Sequence, residues 1–337
     1  MTLLLLAGAL LLILASAEIF TNALEHLGER LQISEGVTGS IFAAVGTAMP
    51  ETMVPVVAIL STAATQEVRE EVGVGAILGA PLMLSTVALF LVGLFAALKR
   101  GWGGRLQPER EGLKRDLYWF LAAFSLSAIA TVVPHDRPLA RGAIAMLLVG
   151  IYFIYVLLTV RASAKLVAEG HATEAGNPLL LVRLFGWLGV RDNLAVEVVQ
   201  LALGLVGIVV GAHGFVEGVE DLSSTLGVSA LTLSLLIIPL ATELPEKVNS
   251  VLWIRRGKDT LAFGNITGAM VFQGSLLPAL GILLTPWELR AEVIAGLVLT
   301  LAASVWLLYP LQRGGLKPYH LVLNGVCYAG YIVATVA

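Results

Sequence analysis

Long apolar stretches alternate with short polar segments along the whole chain. Most of these stretches reach or exceed the roughly 20 residues that an α-helix needs to cross a bilayer. We therefore predict an all-α, polytopic membrane protein with ten transmembrane helices. The predicted spans are residues 2–24, 36–65, 72–98, 116–133, 139–162, 193–218, 227–254, 260–284, 289–309 and 318–336.

The pattern divides into two halves at the longest polar interruption, between the fifth and sixth predicted helices. We predict a first five-helix repeat at residues 1–162, a cytoplasmic linker at 163–192 and a second five-helix repeat at 193–337. A shift of 195 residues places Ile13–Glu51 on Ile208–Glu246 without a gap. Because five is an odd number, the copies enter the membrane in opposite directions, which predicts the inverted repeat typical of secondary transporters.

The distribution of basic residues predicts the orientation. Sixteen of the 21 lysine and arginine residues fall in loops on one side of the predicted helices, and four fall on the other side. Basic loops favour the cytoplasmic side. We therefore expect an integral protein of the cell (inner) membrane with the N- and C-termini outside.

Composition narrows the class of protein and its partners. Hydrophobic residues make up 57% of the chain and charged residues 13%, which is about half the charged share of a soluble domain. The single cysteine, Cys327, excludes an internal disulfide and a multi-cysteine metal cluster. The expected partners are the lipid bilayer and transported cations, with no nucleic acid, no obligate protein partner and no resident cofactor.

Two Pro-Glu pairs lie inside apolar stretches and indicate a cation site. They are Pro50-Glu51 and Pro245-Glu246, and the shift of 195 residues superimposes them. A carboxylate inside a membrane is costly and usually functional, and proline breaks the helical hydrogen bonds and frees carbonyl oxygens beside it. Carboxylate, carbonyl and hydroxyl oxygens together suit a hard divalent cation such as Ca²⁺.

Further oxygen ligands are predicted around these glutamates. Thr47 and Thr242 lie four residues before them, so each threonine shares its glutamate's helix face, although its hydroxyl could instead cap its own broken helix. In the next helix of the second half, Asn265 and Gln273 are also candidates. The first half has alanine and leucine at those two places, so we expect a site richer in oxygen on the second-half side.

Glu243 and Lys247 admit two interpretations. Glu243 stands where the first half has Ala48, so it could be a third carboxylate of the site. It is also four residues before Lys247, a spacing that favours an ion pair on one helix, and a lysine in a membrane core needs an anion within reach. We favour the pair; the lysine charge could also take the place of a monovalent cation.

These stretches resemble the sodium/calcium exchanger superfamily of cation antiporters over nearly the whole chain. The resemblance is most specific at Gly46-Thr47-x-x-Pro50-Glu51, Thr242-x-x-Pro245-Glu246 and Gly264-Asn265-Ile266-x-Gly268. It implies alternating access, with the first and sixth helices sliding over a fixed core, and Ca²⁺ bound by Glu51 and Glu246.

The chain departs from that family's pattern at several oxygen-bearing positions. The serine of the family's Pro-Glu stretch is replaced by Ala48 and Glu243, and the serine of the following helix by Ala80 and Ala269. The family's asparagine or aspartate one turn later corresponds to a leucine in the first half and to a glutamine in the second. Side-chain oxygens that hold Na⁺ in the family are therefore missing here.

The predicted function is secondary active antiport of a divalent cation, Ca²⁺ first, against Na⁺. The alternative in the same class is an H⁺-coupled antiporter of Ca²⁺, Mg²⁺ or Mn²⁺. Two alternatives come from other classes. One is an intramembrane enzyme that uses the paired glutamates as acid and base, against which the inverted repeat argues, and the other is a scaffold that transports nothing. We do not expect an enzyme.

Overall fold

The computed structural model describes residues 2–30, 49–60, 65–167, 178–189, 191–313 and 315–336. Apart from an isolated bridge between Leu106 and Leu316, the regular structure of these residues is helical. The helices are α1 Thr2–Arg30, α2 Met49–Leu60, α3 Gln66–Met83, α4 Leu89–Arg100, α5 Arg110–Ala130, α6 Pro138–Val167, α7 Leu180–Phe185, α8 Leu194–Leu226, α9 Ala230–Thr242, α10 Leu244–Arg255, α11 Asp259–Gln273, α12 Leu276–Leu284, α13 Ala291–Gln312 and α14 Val322–Val336.

Five helical segments are long and apolar enough to cross a membrane. They are Gln66–Arg100, Pro138–Thr159, Leu194–Leu226, Asp259–Leu284 and Ala291–Gln312. Shorter apolar helices accompany them, among them the segment Ala230–Leu240 of α9. The all-helical membrane architecture is therefore confirmed, while the count of ten spans stays a prediction.

The two halves place their helices at corresponding positions. The shift of 195 residues that aligns the Pro-Glu pairs places the described residues of α2 on α10. The next helix is interrupted at the same place in both halves. In the first half α3 continues into a π-helical turn, Leu84–Ala88, before α4 begins. In the second half α11 ends at Gln273, and α12 begins three residues later.

Helices α1 and α8 pack side by side along much of their length. Glycines of α8 permit this close approach, since a Cβ atom added at Gly204 would lie 2.7 Å from the Cβ atom of Phe20. Similar contacts follow along the pair at Gly211 with Ile13 and at Gly218 with Leu6. Position numbers rise on α8 as they fall on α1, so the two helices are antiparallel.

The buried apolar residues form two main clusters. A smaller cluster joins residues of α1, α2, α3 and α8 to residues of α9, including Leu233 and Ile238. The larger cluster contains residues of the other long helices and further residues of α9, including Leu231 and Leu235. Helix α9 therefore lies between the pair α1–α8 and the remaining bundle, and the candidate site lies at its C-terminal end.

Candidate functional site

Three glutamates converge where α9 ends and where α2 and α10 begin. Glu51 lies in the first turn of α2 as described from Met49, and Glu246 lies in the first turn of α10. Glu243 is the residue between α9 and α10, with φ −81° and ψ 8°. The positive end of a helix dipole favours a carboxylate in its first turn, so Glu246 occupies a position that its own helix favours.

The three carboxylates form one buried cluster. One oxygen from each lies within 4.8 Å of the others, and Glu51, Glu243 and Glu246 are only 2%, 0% and 5% exposed. Among the described residues, both oxygens of Glu51 and one oxygen of each of the other two have no hydrogen-bond partner. Burying such groups without a partner costs several kcal/mol, and a bound cation would remove that cost.

Gln273 joins this cluster from the end of α11. Its Nε2 atom donates a hydrogen bond of 2.7 Å to Oε1 of Glu243. Its own oxygen, Oε1, is buried and has no described partner. The amide of Gln273 therefore holds the carboxylate of Glu243 in place. Its own oxygen stays available as a neutral ligand for a cation, as predicted.

The other predicted ligands are placed differently. Asn265 donates from Nδ2 to the backbone oxygen of Glu246 at 3.1 Å and to Oγ of Ser250 at 3.0 Å, so it ties α11 to the first turns of α10. Thr242 is buried and its hydroxyl donates to the carbonyl of Ile238, four residues earlier in the same helix, at 3.1 Å. Thr47 lies outside the described residues.

Lys247 does not pair with Glu243, so the prediction that we favoured for these two residues is wrong for the described structure. The lysine Nζ atom donates to the carbonyl oxygens of Pro239 at 3.2 Å and Leu240 at 2.8 Å. The spacing argument assumed one continuous helix. Glu243 instead lies in the break before α10, and there its carboxylate meets Gln273. It therefore belongs to the carboxylate cluster.

The carbonyl oxygens of Pro239 and Leu240 were not among the predicted site atoms. Both residues lie in the last turn of α9, and the oxygen of Pro239 also accepts the backbone N–H of Glu243 at 3.2 Å. The sequence does carry a signal for them, because Pro239 and Pro245 bracket the break.

Helix α3 packs directly against this end of α9. A Cβ atom added at Gly79 would lie 2.6 Å from Cγ of Pro239, and one added at Gly75 would lie 2.6 Å from Cβ of Ser234. Only glycine permits this approach. The two glycines therefore set how closely the third helix of the first half approaches the broken helix of the second half.

Comparison with known proteins places the chain among ion exchangers. The family model described as sodium/calcium exchanger protein matches residues 1–161 and 196–337. The chain is 27% identical to CaxA of Alkalimonas amylolytica over 98% of this chain and 96% of that protein. It is 28% identical to the inner membrane protein YrbG of Escherichia coli over 86% of this chain and 81% of that protein.

Solved structures of exchangers share the fold. The H⁺/Ca²⁺ exchanger CAX superimposes with a TM-score of 0.70 at 16% identity, covering 99% of this chain and 86% of that one. A structure of the sodium-calcium exchanger NCX_Mj superimposes with a TM-score of 0.56 at 19% identity, covering 99% of both chains. At these identities the likeness establishes the helical fold.

Proposed function

Because the chain belongs to the sodium/calcium exchanger protein family, we propose that it moves a divalent cation, Ca²⁺ first, against Na⁺ by alternating access. One observation carries the proposal. Glu51, Glu243 and Glu246 are buried, and one carboxylate oxygen of each lies within 4.8 Å of the others. Their oxygens without a hydrogen-bond partner are available to bind a cation. The family and its solved members are ion exchangers, so the chain is a transporter and not an enzyme.

The charge of the site suits one divalent cation. The three carboxylates carry three negative charges when ionised, and the ammonium of Lys247, buried within the same break, carries one positive charge. The sum is −2, which one Ca²⁺ offsets. Ca²⁺ takes 6–8 oxygen ligands, and the carboxylates with the free oxygen of Gln273 supply a large part of such a shell.

Protons are the second candidate for the counter-transported ion. Ala80, Ala269 and Leu84 occupy places where the resemblance implies side-chain oxygens for Na⁺. A proton needs only a carboxylate, so the loss of these oxygens affects Na⁺ more than H⁺. The neighbour with the TM-score of 0.70 is an H⁺/Ca²⁺ exchanger, which is compatible with this candidate.

The organisation of the chain is part of the proposal. We propose ten membrane helices in two inverted repeats, residues 1–162 and 193–337, with the linker 163–192 in the cytoplasm and both termini outside. The correspondence of the described residues of α2 with those of α10 supports the repeat. The printed name of the relative YrbG supports the inner membrane.

Alternating access is assigned to the pair α1–α8. These helices share glycine-lined contacts with each other, and their apolar residues belong to the smaller hydrophobic clusters. The larger cluster contains residues of α3 and α11 and none of the described residues of α1 or α8. The pair can therefore move over the site as a unit while α3 and α11 stay fixed.

Transport by the purified chain in liposomes tests the proposal. Uptake of radioactive Ca²⁺ is measured with an outward Na⁺ gradient, with an outward H⁺ gradient and with neither. We expect uptake with the Na⁺ gradient, at a level well above that of protein-free liposomes. Uptake with the H⁺ gradient alone would select the second candidate, and no uptake with either gradient would contradict Ca²⁺ antiport.

A further inference from the structure

The ammonium of Lys247 sits on carbonyl oxygens at the C-terminal end of α9. It donates hydrogen bonds to the backbone oxygens of Pro239 at 3.2 Å and Leu240 at 2.8 Å. Both carbonyls belong to the last turn of α9, at the negative end of the helix dipole, and the oxygen of Pro239 also accepts the backbone N–H of Glu243 at 3.2 Å. The side chain is only 6% exposed.

This is an unusual way to hold a buried lysine. A buried charge normally forms an ion pair, and three carboxylates lie at the same break. Yet none of the ion pairs formed by the described residues includes Lys247. The ammonium donates its hydrogen bonds to neutral backbone oxygens, and the C-terminal ends of broken helices coordinate Na⁺ or H⁺ in secondary transporters. The lysine head therefore lies where a free monovalent cation would bind.

We propose that the Lys247 ammonium is a tethered monovalent cation that permanently occupies a K⁺-sized subsite beside the divalent site. An ammonium group and K⁺ are similar in size, so oxygens at 2.8 and 3.2 Å from Nζ are spaced for K⁺ rather than for the smaller Na⁺. This inference rests on the proposed function, since it describes how the carboxylate cluster comes to need only one divalent cation.

The net charge of the site determines which cations it should bind together. When the Lys247 ammonium is present, the three ionised carboxylates and the ammonium carry a net charge of −2, which one divalent cation offsets. Without it, the same three carboxylates carry −3, and a divalent cation leaves one negative charge without an offset in a buried place. The wild-type chain should bind Ca²⁺ without any alkali cation, whereas a chain without the ammonium should bind Ca²⁺ and K⁺ together.

The first test uses the wild-type chain. Purified full-length protein in detergent is titrated with Ca²⁺ by calorimetry in a buffer whose only other cation is N-methyl-D-glucamine, and then again with added KCl. We expect binding of one Ca²⁺ per chain whose affinity is unchanged by K⁺. A wild-type chain that binds Ca²⁺ only after K⁺ is added would overturn the inference.

The second test uses Lys247→Met, which retains most of the apolar stem and removes the ammonium. We expect K⁺ to raise its Ca²⁺ affinity by about tenfold, within the usual range for coupled binding sites, and reciprocally Ca²⁺ to raise its K⁺ affinity. The matched control is Lys258→Ala, which removes an exposed lysine just beyond α10 and should behave as wild type. No K⁺ effect on Lys247→Met would contradict the tethered cation.

The double variant Lys247→Met/Glu243→Gln covers the case in which the single variant does not fold. It removes one positive and one negative charge, so the count returns to −2. We expect Ca²⁺ binding that is weaker than in wild type and indifferent to K⁺, and a K⁺ requirement in this double variant would also contradict the inference. If the wild-type chain neither binds nor transports Ca²⁺, the proposed function fails. If the wild-type chain binds and transports Ca²⁺ but K⁺ does not change the Ca²⁺ affinity of Lys247→Met, the inference alone fails.

Discussion

The two halves contribute unequally to a site that their repeat would lead one to expect to be symmetric. The first half provides Glu51. Its residues at the positions equivalent to Glu243, Lys247 and Gln273 are Ala48, Thr52 and Leu84, in that order. Among the described residues, the second half therefore provides two of the three carboxylates, the ammonium and the amide, and the first half provides one carboxylate. A sequence repeat can thus retain its Pro-Glu pair in both copies while the side chains around each pair differ.

The largest effect should come from the one feature that both halves share. Glu51→Gln and Glu246→Gln should each reduce Ca²⁺ uptake into liposomes by about 100-fold or more, because removing one partner of a buried charged contact costs roughly 2–5 kcal/mol. Expression and thermal stability in detergent should be retained, since each variant also removes a costly buried charge. Wild-type uptake by either variant would remove that glutamate from the site.

A smaller effect should follow from making the second half resemble the first at one position. Gln273→Leu removes the 2.7 Å hydrogen bond to Glu243 and introduces the residue that the first half has there. Hydrogen bonds to charged groups contribute about 1.5–3 kcal/mol, so Ca²⁺ affinity measured by calorimetry should fall by roughly 10- to 100-fold.

The mirror variant, Leu84→Gln, is the matched control for that change. Leu84 is fully buried in the larger hydrophobic cluster. The variant should lower the melting temperature, because a buried amide without a partner is costly, and Ca²⁺ affinity should not increase. A gain in Ca²⁺ affinity would show that the first half can be made to contribute an amide in the same way.

The inequality of the halves also predicts the coupling ratio. A site of charge −2 exchanges one divalent cation for two monovalent ones, whereas the departures at Ala80, Ala269 and Leu84 remove oxygens for any further Na⁺. The dependence of Ca²⁺ flux on Na⁺ concentration should therefore have a Hill slope near two. A slope near three would show that Na⁺ finds ligands that these positions do not provide.

The smallest effects concern two ion pairs that join the halves near the starts of α3 and α11. Arg100 of the first half holds the buried Asp259 at 2.6 Å, and Arg290 of the second half pairs with Glu71. Because the second pair is more exposed, it should stabilise less. We expect Asp259→Asn to cost about 1–2 kcal/mol and Glu71→Gln less than about 1 kcal/mol, as measured by thermal unfolding in detergent. Equal losses would show that exposure does not separate the two pairs.

The features that could be predicted from the sequence are those encoded by residues close together in the chain. Apolar length predicted the membrane helices, and the Pro-Glu pairs identified two of the three glutamates in the cluster. Family membership, inferred from the same residues, is confirmed by the match over both halves. These features are encoded within a few consecutive residues, so they can be recognised without knowledge of the fold.

The position of Lys247 could not be predicted in the same way. The four-residue spacing to Glu243 indicates a pair only if both residues belong to one helix, and α10 begins after Glu243. The partners that the lysine finds, Pro239 and Leu240, lie eight and seven residues earlier in the chain. Backbone acceptors have no sequence identity, so a pattern of side chains cannot reveal them.

The lysine buried at the end of α9 also has a consequence for the energetics of the cell. If one Ca²⁺ exchanges for two monovalent ions, no net charge crosses the bilayer in a cycle, so the membrane potential neither drives nor opposes exchange. The work available then comes from concentrations alone. A tenfold Na⁺ gradient can sustain at most about a 100-fold Ca²⁺ gradient, because each tenfold ratio corresponds to about 1.4 kcal/mol per ion. Such an exchanger works equally well in an energised and in a depolarised membrane.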